Sequence, residues 1–239
     1  MVDDSPTDGT RLSLPEELLL LGWDDERGKN TGTANLLALL GGAAFLDLAL
    51  RGAIDATGKH VEAREGDTGH PVLDGVLERI RTDRKSRDVK GWVGWYGQRN
   101  DLRDEVLDHL LAQGIVRREE RKILGLIRLT RHPVTQRVRV EELRRRAGAL
   151  LTSSEPLDDP RDAALGGLLE PAGGTLRARL VPRGQRRAAA RRAKELAKGE
   201  GMSSEVADAI GEANAAAMAA ITAAAAVSAA SAGSSGGSN

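Results

Sequence analysis

The chain has 239 residues, of which 40 % are hydrophobic and only 2 % aromatic, and its 35 Lys and Arg balance 35 Asp and Glu. That length can bury a sizeable core, which must be packed from Leu, Ala, Val and Ile rather than rings, and Leu and Ala favour helices. No Cys is present, which excludes disulfides, thiolate metal centres and cysteine nucleophiles.

Residues 1–10, rich in Asp, Ser, Pro, Thr and Gly, predict a disordered leader. The acidic start lacks the basic residues of a secretory signal, and no uninterrupted apolar stretch is expected to span a bilayer, since 213–230 is nearly all alanine. The expected location is cytoplasmic, with any membrane contact peripheral. Charge is segregated: residues 1–26 hold eight acids against Arg11, whereas 183–198 hold seven cations against Glu195. A neutral chain can therefore present an electropositive face.

Ser13 ahead of Pro15, with Glu16 and Glu17 in a first turn and Leu18 to Leu21 following, predicts a helix that Gly22 ends. Trp23-Asp-Asp-Glu-Arg-Gly28 predicts a turn or short strand pair. Residues 33–50 are apolar on every side except Asp47, the pattern of a central helix. Gly41 and Gly42 each cost that helix about 1 kcal/mol, so they mark a close helix approach or a local break. Residues 53–62 around Thr57-Gly58 predict a small hairpin. Val72, Leu73, Val76, Leu77 and Ile80 recur at helical spacing.

A charged connection, 81–90, leads to Gly91-Trp-Val-Gly-Trp-Tyr-Gly97. Residues 99–112 predict a helix with Leu102, Val106, Leu107, Leu110 and Leu111 on one side and Arg99 and Arg103 one turn apart, capped by Gly114. Two short strands, 115–118 and 123–127, are expected around a charged turn Glu119-Glu-Arg-Lys122. A basic amphipathic helix at 138–151, a linker at 153–162, a short helix at 161–169, a turn at 177–182, a basic helix at 183–198 and an alanine-rich helix at 205–226 complete the pattern. Residues 227–239 predict a disordered Ser/Gly/Ala tail. The fold class is mainly α: a single domain over 11–226, a central helical bundle surrounded by amphipathic helices, with one or two short β-hairpins.

His60, His70, His109 and His132 are far apart, and none has the HxxxH or HxxE spacing that seats a metal on one helix face. No metal site is expected; His109 is read as a surface or boundary residue and His132, before Pro133, as a turn former. The sequence has no GxSxG elbow, no GxxxxGK[ST] loop and no strand followed by GxGxxG, so hydrolase, nucleotide-binding and dinucleotide-binding readings lack their parts. Asp24-Asp25 has no second acidic cluster to complete a magnesium pair. The expectation is a non-enzyme with no catalytic residue and no cofactor.

Leu14-Pro-Glu-Glu-Leu-Leu-Leu-Leu-Gly22, Trp23-Asp-Asp-Glu-Arg-Gly28, Leu48-Ala-Leu-Arg-Gly52, Asp67-Thr-Gly to Leu73-Asp74, Leu102-Arg-Asp-Glu-Val, Gly114-Ile-Val and Thr130-Arg-His-Pro-Val-Thr135 follow one another in fixed order. This ordered set resembles the Golgi phosphoprotein 3 family over about residues 11–225. The resemblance implies a helical bundle that acts as a peripheral membrane adaptor, whose eukaryotic members bind phosphatidylinositol 4-phosphate through a Trp and three Arg. Carried over by position, the Trp falls near Gly32, the first Arg on Gly41, and the Arg-x-x-Arg pair on Asn100 and Arg103, with Arg99 alongside. Headgroup contacts are thus expected at Arg103, Arg99, Asn100 and Arg131, while Gly32 and Gly41 are pocket positions without the family side chains.

Glycine cannot supply the charge-assisted hydrogen bonds a phosphate monoester needs. The resemblance therefore implies delocalised, salt-sensitive attraction to anionic phospholipid headgroups, about 1 kcal/mol per basic group. The family's hairpin mediates self-association and shallow membrane insertion, and Ile123, Leu124, Leu126 and Ile127 occupy it here. Strand alternation also allows half of them to cover the core. Expected partners are lipid headgroups, a second copy through the hairpin, and membrane-protein clients.

Two other readings stand beside this one. A helix followed by a hairpin also ends a winged-helix unit, with 137–146 and 183–198 available to meet phosphate. Against it, the chain is neutral and Glu119-Glu120 would sit at the wing tip, so nucleic acid is not expected. A protein-only scaffold using the hairpin or the C-terminal helix is the third.

Overall fold

Leu14 begins the first helix, α1 (Leu14–Leu21), in a computed structural model that describes residues 11–56, 58–123 and 127–233, with side chains except those of 121–123, 127–129 and 227–233. The Glu16 carboxylate reaches back to accept from the Ser13 N–H at 2.7 Å and the Ser13 hydroxyl at 2.9 Å, which occupies groups that a helix start leaves without partners. Every residue of α1 is buried. Gly22 leads into the antiparallel pair β1 (Trp23–Asp24) and β2 (Lys29–Asn30). Between them the Asp24 carboxylate accepts from the N–H groups of Glu26 and Arg27 at 3.1 and 2.8 Å.

The predicted central helix is α2 (Leu36–Leu50), buried from Ala38 to Leu48. It packs on α1, on α4 (Val89–Tyr96) and on α10 (Ser204–Gly233), and also meets α3 (Pro71–Thr82), α5 (Asp101–Ala112) and α7 (Pro160–Leu168). A helix with no polar face can only sit inside such a ring. Its one charge, Asp47, caps α1 by accepting the Leu14 N–H at 2.7 Å. It also pairs with Arg161 at 3.2 Å and Arg51 at 2.9 Å. Gly42 admits Ile221 of α10: a Cβ there would lie 2.4 Å from the Ile221 Cδ1.

The remaining elements are β3 (Ile54–Asp55), β4 (Glu62–Ala63), β5 (Glu119–Ile123), β6 (Ile127–Arg131), α6 (Arg137–Thr152), α8 (Gly174–Leu180), a 3-10 turn (Arg183–Gln185) and α9 (Arg186–Ala197). The chain is mainly α, a single domain with short two-stranded ladders β1–β2, β3–β4 and β5–β6. One apolar cluster runs from Leu12 to Ile221.

Several expectations need correction. The aromatic stretch 91–97, which has no clear periodicity, lies mostly in α4, started by the Asp88 side chain accepting the Gly91 N–H at 2.7 Å. Its Trp92 and Tyr96 lie against Phe45 of α2 with ring centroids 6.0 and 6.4 Å away. Residues 174–180 form α8, where a turn was expected from 177.

In the major hairpin, Glu119 pairs with Arg131 and Ile123 with Ile127. Glu119-Glu-Arg-Lys122 is therefore strand rather than turn, and the acids lie away from the hairpin's closing end. Leu124 and Leu126 lie outside the described residues, as do the side chains of Ile123 and Ile127. The helix α10 continues to Gly233, past the expected tail boundary at 227. By length and composition its segment 204–226 could cross a membrane, where no such stretch was expected. In the fold Val206, Ile210, Ala217, Ala220 and Ile221 of that segment are buried.

Candidate anion-binding site

The β1–β2 turn docks on the end of β6. The Trp23 indole N–H donates to the His132 carbonyl at 2.8 Å, and the His132 N–H donates to the Gly28 carbonyl at 3.0 Å. Gly28 makes the approach feasible: its φ is +59°, and a Cβ would lie 2.4 Å from the His132 nitrogen. Beside this joint α5 presents Arg103 and Leu107.

Two adjoining hollows result. The larger, about 380 Å³, has an apolar floor including Leu19, Trp23, Leu36 and Leu107, and a polar rim of Lys29, Asn30, Arg103, Thr130 and His132. The smaller, about 200 Å³, is lined by Arg27, Lys29, Thr130 and Arg131. Lys29 and Thr130 belong to both. Four cations, Arg27, Lys29, Arg103 and Arg131, thus come together from the β1–β2 turn, α5 and β6. Arg103 is held by Asp104 at 2.7 Å with 39 % of its side chain exposed, and Arg27 lies 3.9 Å from Asp24. Burial and the nearby Arg118 charge depress the His132 pKa, so His132 adds polarity rather than charge to the rim.

The structure brings two of the expected contact residues, Arg103 and Arg131, to these hollows. Arg99 does not reach them. It precedes α5, stacks on Trp95 at 4.7 Å and pairs with Asp101 at 2.7 Å, so its expected position one helical turn from Arg103 does not hold. Asn100 is exposed ahead of α5 and lines neither hollow. Neither Gly32 nor Gly41 lines either hollow. Gly32 is buried, and a Cβ on it would come within 3.0 Å of the Arg179 guanidinium. Gly41 lies inside the bundle, where a Cβ would meet that of Tyr96 at 3.0 Å.

Arg27, Lys29, Asn30 and His132 were missed. The only local hint was the pair of cations flanking Gly28, because the partners of that turn lie about a hundred residues away. A third hollow of about 360 Å³ holds Arg144, Arg145 and Arg179, but its guanidinium groups are largely engaged. Arg144 is held by Asp25 at 2.8 Å and Glu141 at 2.7 Å, and Arg179 donates to the Trp23 carbonyl at 3.1 Å.

Histidine clustering departs from expectation. His109 is half-buried, as a boundary residue would be, but its Nδ1 lies 2.6 Å from the fully buried Glu16 carboxylate, and His70 Nε2 lies 2.9 Å from the same group. Burial alone would raise the Glu16 pKa, but the hydrogen bond and charge of His70, the Ser13 N–H and His109 together pull it down to about 2. The members of this cluster come from three separate elements, so no helix-face spacing could reveal it. Among known protein families, the model described as Golgi phosphoprotein 3 (GPP34) matches residues 14–213, from α1 into α10.

Proposed function

The chain belongs to the Golgi phosphoprotein 3 family, and from that premise we propose that it is a non-enzymatic peripheral adaptor docking on anionic lipid headgroups through the paired hollows. The observation that carries this reading is the convergence of Arg27, Lys29, Arg103 and Arg131 from three elements. Phosphate oxygens accept charge-assisted hydrogen bonds from such groups, and guanidinium can do so bidentately. Each cation near an anionic surface contributes about 1 kcal/mol. The hairpin of β5 and β6 supplies Thr130 and Arg131 to the hollows, so a bilayer bound there lies close to its base. Shallow insertion of its closing end, self-association through it and recruitment of membrane-protein clients at the cytoplasmic face belong to the same proposal.

Specificity follows from Gly32 and Gly41. No indole or guanidinium can project from them, and both are packed inside the fold. Phosphatidylinositol 4-phosphate is therefore bound as one anionic headgroup among several, ranked by charge rather than by stereochemistry.

Co-sedimentation of the full chain with vesicles tests this. Binding to phosphatidylserine vesicles at low salt is expected, and Arg103→Ala and Arg131→Ala should each weaken it by about 1 kcal/mol, roughly fivefold. A folded chain that ignores such vesicles, or a double variant that binds them undiminished, would remove the basis of the proposal.

A further inference from the structure

Glu16 of α1, His70 immediately before α3, and His109 of α5 bring one carboxylate and two imidazoles together, with the candidate ligand atoms all within 4.8 Å of one another. The rings of His70 and His109 meet edge to face at 4.8 Å. Glu16 is fully buried, the His70 side chain is 1 % exposed and that of His109 17 %. The adjacent buried acids have guanidinium partners: Glu17 has Arg146 and Arg161, and Asp47 has Arg51 and Arg161. Among the described residues Glu16 is paired only with the two histidines. A buried carboxylate needs a counter-charge, and here it must come from the imidazoles or from something they bind.

We propose that Glu16, His70 and His109 form a site for a divalent first-row metal ion, of which zinc is the representative. Two imidazole nitrogens and a carboxylate are a recurrent ligand set for such ions and leave further coordination positions open. At metal–ligand distances near 2.1 Å, tetrahedral neighbours stand about 3.4 Å apart. The present separations of 2.9 and 2.6 Å are hydrogen-bond lengths, so the ion enters where two ring protons now lie, as the donors open by about half an ångström or more. It takes the lone pairs of His70 Nε2 and His109 Nδ1; a neutral ring then carries its proton on the other nitrogen, His70 Nδ1 or His109 Nε2, and a charged ring keeps that proton and releases the displaced one to solvent.

The surroundings support two of the three ligands. Ser13 donates its N–H and hydroxyl to Glu16 Oε2, fixing the carboxylate. The Gln113 amide lies 3.3 Å from His109 Nε2 and can accept its proton after rotating. Among the described residues His70 Nδ1 is buried without a partner. An incomplete outer shell of this kind costs about 10–100-fold in affinity. Access is from a hollow of about 420 Å³ between α3 and α5, lined by Val72, Arg79, Glu105, Asp108 and His109. Asp108 is exposed there and favours approach of a cation.

Calorimetric titration of the full chain with zinc chloride after chelator treatment reads the site directly. One ion per chain is expected, with affinity reduced at least ~10-fold in His109→Asn and His70→Asn, while His60→Asn binds like the parent. Circular dichroism checks that each variant is folded. Should buried His70 or its neighbour not tolerate replacement, cobalt(II) added to the parent chain reports instead. Intense visible bands of four- or five-coordinate cobalt are expected, and a weak six-coordinate spectrum would overturn the assignment. Absence of zinc binding, or unchanged binding in folded His109→Asn, would overturn it equally.

Discussion

Asp47 accepts from the Leu14 N–H, Arg51 and Arg161, and only 1 % of its side chain is exposed. Removing one member of a buried ion pair leaves the other charge uncompensated, at a cost of about 3–5 kcal/mol. Asp47→Asn should therefore lower the unfolding free energy from denaturant titration by an amount in that range, near its lower end because Glu17 still lies 3.6 Å from Arg161. A change within ~0.5 kcal/mol, the size of an ordinary surface substitution, would show that Arg161 is stabilised from elsewhere. Gly28 matters differently. Alanine there must hold a positive φ and displace the His132 backbone, so Gly28→Ala should cost about 1–3 kcal/mol and alter Trp23 fluorescence, because the Trp23 indole is bonded to that same residue.

At the level of elements, close approaches decide where glycine is required. A Cβ on Gly148 of α6 would lie 2.5 Å from the Leu180 carbonyl oxygen, backbone that cannot swing away. Gly148→Ala should cost about 1–3 kcal/mol by overpacking. Among the described residues nothing lies within 4 Å of such an atom on Gly211 of α10, so Gly211→Ala should stabilise by up to about 1 kcal/mol through helix propensity alone. Thermal melts of the pair, shifted in opposite directions, would bear out the packing; equal shifts would not.

How far the elements were legible follows from the same physics. The periodicity of Val72 to Ile80, the cap at Ser13 and the all-apolar α2 were readable because each depends on near neighbours in the chain. The α4 segment was not, since its Trp and Gly residues favour helix only when Phe45 and the cap at Asp88 are in place. The strand at 119–123 was obscured because its charged residues resemble a turn, and only pairing with 127–131 identifies them as a ladder.

Over the whole molecule, equal numbers of acids and cations are sorted by the fold. Glu17 of α1 and Asp47 of α2 turn inward to Arg161, Arg146 and Arg51, while Arg27, Lys29 and Arg131 line the smaller hollow. Arg103 and Arg131 could be anticipated from the family resemblance, but Arg27, Lys29, Asn30 and His132 could not, because the hollows join residues 27–30 to 130–132 across α5. The histidine cluster was hidden for the same reason.

We propose that this surface meets anionic lipid by summed charge rather than by a stereospecific pocket. Salt titration of the full chain on two sets of vesicles, carrying phosphatidylserine or phosphatidylinositol 4-phosphate at matched surface charge, tests it most directly. Binding to both should fall together as ionic strength rises and the Debye length shrinks from about 30 Å at 0.01 M to about 8 Å at 0.15 M. Binding confined to phosphatidylinositol 4-phosphate, or indifferent to salt, would contradict it.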